Sequence, residues 1–243
     1  MALRLLPLFL AFAAWALAQV DPLRPAEEPP LGYRLTLSYA PSALQGVGAD
    51  ERGPYAFLRV GHGLSLSLGL SYRVAPDLFL EGRLGGGYTL FGERRDYGEA
   101  GEVLWRGEGR PSLGVGLAYR FPDLWGRPRV RLGLGYPWAL EGEASGSLLR
   151  DPVVATWALG VSYPRGGVPL LGLGLGLSLV ANEVWSLGLG TSLSLPLGLE
   201  PPGGALLLRA GYALDPEGKG EVGVWVRYGD GGFALGLELT GPL

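Results

Sequence analysis

The stretch GLGLGLSL, Gly172–Leu179, sets a leucine beside glycine or serine at every second position. A period of two belongs to an extended strand, in which alternate side chains leave by opposite faces. One face of this strand is therefore all leucine and the other almost bare. Glycine packs nothing and weakens a strand, so its repetition needs a reason. A helix does not supply one, because Gly172, Gly174 and Gly176 would each cost about 1 kcal/mol relative to alanine.

Read outward from there, the same pattern covers most of the chain. Alternating segments run over Tyr33–Ala40, Ala56–Val74, Leu78–Phe91, Ser112–Phe121, Arg129–Trp138 and Val153–Tyr163. They continue over Leu170–Val180, Val184–Leu197, Leu206–Leu214, Glu221–Tyr228 and Phe233–Thr240. Turn residues separate them, and no segment has a helical period of apolar positions. The fold class is all-β and antiparallel, with strands long enough to cross a bilayer, for which about 9 to 11 tilted residues suffice.

Parity then assigns the faces. One face reads Leu64, Leu66, Leu68, Leu70, Tyr72, then Leu113, Val115, Leu117, Tyr119, then Val130, Leu132, Leu134, Tyr136, Trp138. Aliphatics fill the middle and aromatics sit at one end of each strand, which suits acyl chains and headgroups respectively. The opposite face is small and weakly polar: Ser65, Ser67, Gly69, Ser71, Gly114, Gly116, Gly133, Gly135, Ser192, Ser194. Such a face fits the inside of a closed barrel, and closure leaves no edge in lipid. The expectation is a closed antiparallel transmembrane β-barrel with leucines toward lipid and glycines along a narrow lumen. A secreted, soluble β-rich binding or adhesion protein is the alternative; against it, almost no Lys, Glu or Asp occupies the strand centres.

Composition supports a membrane protein outside the cytoplasm. The 243 residues include 43 glycines, one histidine and no cysteine, with a formal charge of −3. No disulfide framework or cysteine-rich metal site is available, and no basic face exists for nucleic acid. Cofactors are not expected. Lys219 is the only lysine, and Asn, Gln and Met are scarce. That bias fits a hot environment, as it does a GC-rich genome. At the start, MALRLLPLFLAFAAWALAQV has Arg4, an apolar run from Leu5 to Ala18 and a small-x-small site at Ala16–Ala18. This is a signal-peptide layout covering residues 1–18. Residues 19–30 form a proline-rich lead-in, and residues 31–243 the barrel.

The pattern resembles the small bacterial outer-membrane β-barrels, the OmpA-like and OmpW-like group. The stretch GLSLSLGLSYRVAPDLFLEGRLGGGYTL, Gly63–Leu90, carries the likeness best. The resemblance implies location in the outer membrane, contact with its lipid, insertion by the barrel-assembly machinery, and a passive small-solute pore or structural role. The ending Thr240-Gly241-Pro242-Leu243 departs from the terminal aromatic common in the group.

Eleven segments conflict with the even strand number expected of a bacterial single-chain barrel. A break at Gly61-His62-Gly63, or a hairpin within Val103–Pro111, brings the number to about twelve; ten is the alternative if a terminal segment does not pair. Pro41–Gly53, Gly92–Glu102 and Ala139–Pro152 read as the longer loops, all on one side if Ala56–Val74 is a single strand.

On the lumen parity the charges are mostly arginine. Arg34, Arg73, Glu81, Arg83, Arg120 and Arg131 gather toward the periplasmic end, with Arg209 deeper and Arg227 at a strand end. They form a candidate constriction favouring a small anionic solute if the lumen conducts. The opposing reading has these arginines pair with Glu81 and Glu238 and plug the barrel. No enzyme is expected: His62 falls on the leucine parity and Ser65 on the other, so they cannot act as base and nucleophile. The GxGxxG match Gly218–Gly223 leads from a turn into a strand, with no helix to receive phosphate.

Overall fold

A strand in hydrocarbon must satisfy every backbone N–H and C=O through its neighbours. In a computed structural model of the chain, the strands do so by closing on themselves. The structure describes residues 30–97, 101–122, 124, 127–150, 152–181, 184–214, 220–230 and 232–243. The proposed signal peptide, and the lead-in up to residue 29, lie outside the described residues. Twelve strands follow in order: β1 Leu31–Asp50, β2 Gly53–Ala75, β3 Leu78–Asp96, β4 Gly101–Arg120, β5 Arg129–Tyr136 and β6 Ala139–Arg150. The second half is β7 Val153–Pro164, β8 Leu170–Ala181, β9 Trp185–Pro196, β10 Gly203–Ala213, β11 Glu221–Gly229 and β12 Gly232–Pro242.

Each strand pairs antiparallel with the next, and β12 returns to β1 in a register running from Gly32 opposite Pro242 to Tyr39 opposite Leu235. The Leu243 N–H donates to the Leu31 carbonyl at 3.0 Å just beyond this seam. The start of β1 and the end of β12 therefore share one end of the barrel, here the near end; the β1–β2 turn marks the far end. A two-sheet sandwich is ruled out by the single closed ring.

The twelfth strand is neither of the two expected additions. β2 is continuous through Gly61-His62-Gly63, and Val103–Pro111 belongs to β4. The missing strand is β6, whose sequence ALEGEASGSLLR reads as a polar loop because its lumen positions are Glu141, Glu143 and Ser145. These carboxylates face arginines on β5, and that pairing makes a strand of an acidic segment. With β6 present, Pro164–Pro169 joins the same end as the β1–β2 turn.

The other two expected loops are also mostly strand. β1 continues to Asp50 and β3 to Asp96, so β1–β4 are 20, 23, 19 and 20 residues long against 8 to 12 for the rest. Their upper halves form a four-stranded extension that rises past the barrel rim on one side. Above Tyr39, β1 has no β12 partner, and above Leu113, β4 has no β5 partner.

In β8 the leucines at 173, 175, 177 and 179 are between 41 and 57 % exposed, while Gly172, Gly174, Gly176 and Ser178 are buried toward the lumen. The leucine face is the outside of the barrel. Aromatics ring both of its ends, because neighbouring strands run in opposite directions. Tyr72, Tyr119, Trp185 and Tyr212 lie at the near end, and Tyr136, Trp138, Tyr163 and Tyr228 at the far end. Trp185 meets Tyr212 edge-on at 4.9 Å and Tyr119 meets Phe121 at 4.8 Å.

A cation at the middle of this outer face must be desolvated by lipid. Leu175→Arg is expected to lower stability by about 2–4 kcal/mol, measured by urea unfolding in lipid vesicles. The neighbouring lumen change Gly174→Ser should shift the midpoint far less.

Candidate functional site in the barrel lumen

Inward-facing positions of β3, β5 and β6 bring opposite charges together, reaching over the glycine-lined β4 that lies between β3 and β5. Arg131 Nε bonds one Glu81 oxygen at 2.5 Å, and Arg129 takes the other. Arg131 Nη1 also reaches Glu141 at 2.9 Å, whose second oxygen lies 3.5 Å from Arg83 Nη2. The result is an alternating lattice, Arg129–Glu81–Arg131–Glu141–Arg83, laid flat on the wall. Its side chains are each 11 to 18 % exposed. Charge-assisted bonds of this kind are stronger than neutral ones and fix geometry.

The glycines of β4 and β5 make the lattice possible. A Cβ on Gly133 would stand 3.1 Å from Arg131 Nη2, one on Gly114 3.4 Å from Arg83 Nη2, and one on Gly135 3.3 Å from Glu141 Oε1. Side chains there would lift the guanidinium groups off the wall. Here the bare face admits long charged residues from neighbouring strands.

A second charged group occupies the opposite wall. Arg209 on β10 lies 2.8 Å from Glu221 on β11 and 3.4 Å from Glu238 on β12, and Arg34 on β1 approaches Glu238 at 4.0 Å. Between the two groups, β7–β9 present Thr156, Ser162, Gly174, Gly176, Gly190 and Ser192 to the lumen and carry no charge there. Two charged walls thus face each other, with β7–β9 as the smooth wall between them on one side.

The six sequence-selected residues divide among these groups. Glu81, Arg83 and Arg131 meet in the lattice. Arg34 belongs to the opposite wall beside Glu238. Arg73 and Arg120 sit at the near end, over the ring of Phe79 at 5.4 and 5.2 Å from its centroid. Sequence reasoning missed Arg129, although it shares the parity of Arg131. It missed Glu141 and Glu143 because their strand reads as a loop, and Phe79 because nothing in the leucine-rich phrase Leu78-Phe79-Leu80 sets it apart.

The inner face of the extension has its own network. Arg95 bonds Glu93 at 2.7 Å and Asp50 at 3.1 Å, and the Tyr97 hydroxyl donates to Asp50 at 2.8 Å. Arg95 stacks over Tyr55 at 4.8 Å, and Tyr55 packs on Tyr97 at 5.3 Å. The Tyr97 hydrogen bond, helped by the Arg52 backbone N–H and the nearby Arg95 charge, holds the Asp50 carboxyl below its usual value. His62 lies apart from all of this. It is on the outer face of β2, where its Nδ1 is 2.7 Å from the Tyr39 hydroxyl. Ser65 lies on the lumen side with Ser38 at 2.6 Å. Among the described residues, no group of three or more His, Asp or Glu could hold a metal ion.

With this geometry in place, the solved structures give the fold a setting. An outer-membrane channel from Pseudomonas putida F1 matches 90 % of this chain and 99 % of its own, with a TM-score of 0.56 at 11 % identity. The fold is that of the outer-membrane β-barrels. The NanC porin matches 85 % of this chain and 97 % of its own, with a TM-score of 0.51 at 8 % identity. The translocator domain of the autotransporter NalP from Neisseria meningitidis covers 95 % of each chain at 0.50 and 12 %. No protein-family model and no curated protein sequence matches the chain.

Two outcomes follow. Glu141→Gln weakens the charge-assisted bonds to Arg83 and Arg131, and is expected to cost about 1.5–3 kcal/mol in urea unfolding. Because Asp50 titrates lower in the folded chain than in the unfolded one, its stabilising effect is complete above its ordinary pKa of 3.8 and disappears as the pH falls through the lowered value. Protection of the β1–β2 turn amides, taken relative to the intrinsic exchange rate at each pH, should fall on acidification through that range. Tyr97→Phe should give faster exchange at neutral pH and a smaller response to acid.

Proposed function

We propose that this protein is a passive channel of the outer membrane, passing small solutes through a lumen whose charge favours anions. One observation carries the reading: a closed barrel with an apolar, aromatic-girdled outside encloses an inside of glycine, serine and paired charges. Twelve strands enclose more room than the eight of OmpA-type barrels, whose interiors side chains fill. The likeness to channel barrels is for this reason preferred to the OmpA-like and OmpW-like assignment. The partners in this reading are outer-membrane lipid and the barrel-assembly machinery, and export follows cleavage after Ala18.

Anion preference rests on charge balance. On the lumen faces the arginines, Arg34, Arg73, Arg83, Arg120, Arg129, Arg131, Arg209 and Arg227, outnumber the glutamates, Glu81, Glu141, Glu143, Glu221 and Glu238. The chain as a whole has a formal charge of −3. The positive surplus is therefore concentrated inside, where a low-dielectric wall strengthens its field.

The chain from Gln19 onward, refolded into a planar bilayer under a salt gradient, is expected to conduct with a reversal potential on the anion side. Arg73→Gln with Arg120→Gln should move that potential toward zero. A folded, inserted barrel that stays silent would overturn the channel reading, and unchanged selectivity in the double variant would overturn the anion preference.

A further inference from the structure

Phe79 is the largest fully buried side chain among the described residues, and it is surrounded by positive charge. It faces inward at the near end of β3. Arg73 stands opposite it on β2, just before a register shift between Arg73 and Ala75. Arg120 and Arg129 pair with each other across β4 and β5. The guanidinium carbons of Arg73, Arg120 and Arg129 lie 5.4, 5.2 and 5.4 Å from the ring centroid. Three strands thus deliver three cations to one aromatic ring.

This arrangement carries an intrinsic cost. Like charges directly opposite on paired strands are destabilising, and Arg120 faces Arg129 in that way. Cation–π attraction to Phe79 offsets part of it. Glu81 offsets more, but its two oxygens are shared between Arg129 and Arg131. Below the extension, the inward positions of β2–β6 carry five arginines, at 73, 83, 120, 129 and 131, against three glutamates, at 81, 141 and 143. An oxyanion at this spot would add acceptor oxygens where the wall's own carboxylates are fewer than its guanidinium groups.

We propose that Phe79, Arg73, Arg120 and Arg129 form an anion-binding site at the near mouth, taking small solutes that present several acceptor oxygens on one centre, such as phosphate, sulfate or a carboxylate group. Phe79 is a positioning residue: its ring holds the guanidinium planes, and the forks themselves bind the oxygens in the bidentate manner that suits arginine. The site deepens the channel reading, which supplies the route by which solute reaches it. It also turns a general anion preference into saturable recognition.

The test begins with the refolded barrel in detergent micelles, titrated with sodium phosphate and, at matched ionic strength, with sodium chloride. Calorimetric binding and the thermal midpoint are read together. Phosphate is expected to bind saturably and raise the midpoint, while chloride does not. Arg120→Gln and Phe79→Leu should each weaken binding at least tenfold, and Arg94→Gln, on the outer face of the extension, should leave it unchanged. If Phe79→Leu fails to fold, Arg73→Gln replaces it. No saturable response in the unmodified chain, or equal affinity in the Arg120 variant, would overturn the site. The titration does not depend on conduction. Binding by a barrel that is silent in a bilayer would support the site and remove the channel reading, whereas a conducting barrel without binding would do the reverse.

Discussion

Backbone hydrogen bonding in a medium without water governs this molecule. Each strand can leave its outer face to leucine and valine only because its N–H and C=O groups are spent on both neighbours, and the last strand must find the first for this to hold everywhere. The β1–β12 seam is thus the condition on which the rest depends. Once the ring is closed, outward positions need only be apolar, with aromatics at the two interfaces. The inward positions are released from packing a core, so they can be small, or can carry charge in pairs.

That division of labour explains how much was legible. Parity of two survives in nearly every strand, and it identified the barrel, the lipid face and the lumen arginines from residues such as Leu64–Tyr72 and Gly172–Leu179. It failed where the inward set is itself charged. Glu141 and Glu143 gave Ala139–Arg150 the look of a solvated loop, because a carboxylate's partner lies across the sheet and is invisible along the chain. The polar hairpins fail for a related reason: Gly46 and Gly48 suggest a turn, yet Phe57 and Tyr55 lie across those glycines from the facing strand. Cross-strand partners, which no local window contains, decided both cases.

The same limit applies to the site. Six lumen residues were readable by parity, but their grouping was not, since it depends on which strands are neighbours and in what register. Adding β6 brings Glu141 to Arg131 and Arg83, while the β1–β12 seam sets Arg34 beside Glu238 on the other wall. Glycine changes meaning as well. Along the chain it looks like an absence of side chain that narrows nothing; in the sheet, Gly114, Gly116 and Gly133 are the floor on which arginines from adjacent positions lie.

The unequal strand lengths bear on how the chain acquires this form. Pairing between β1 and β2, and between β3 and β4, joins neighbours in sequence over long registers, whereas the seam brings together residues from opposite ends of the described chain. Local contacts form at a small entropic cost, and distant ones must wait for the intervening chain to be ordered. The tall β1–β4 sheet is in that sense a template: it can set tilt and register first and pass them strand by strand to the shorter β5–β12, so that when β12 arrives its partner is already in place.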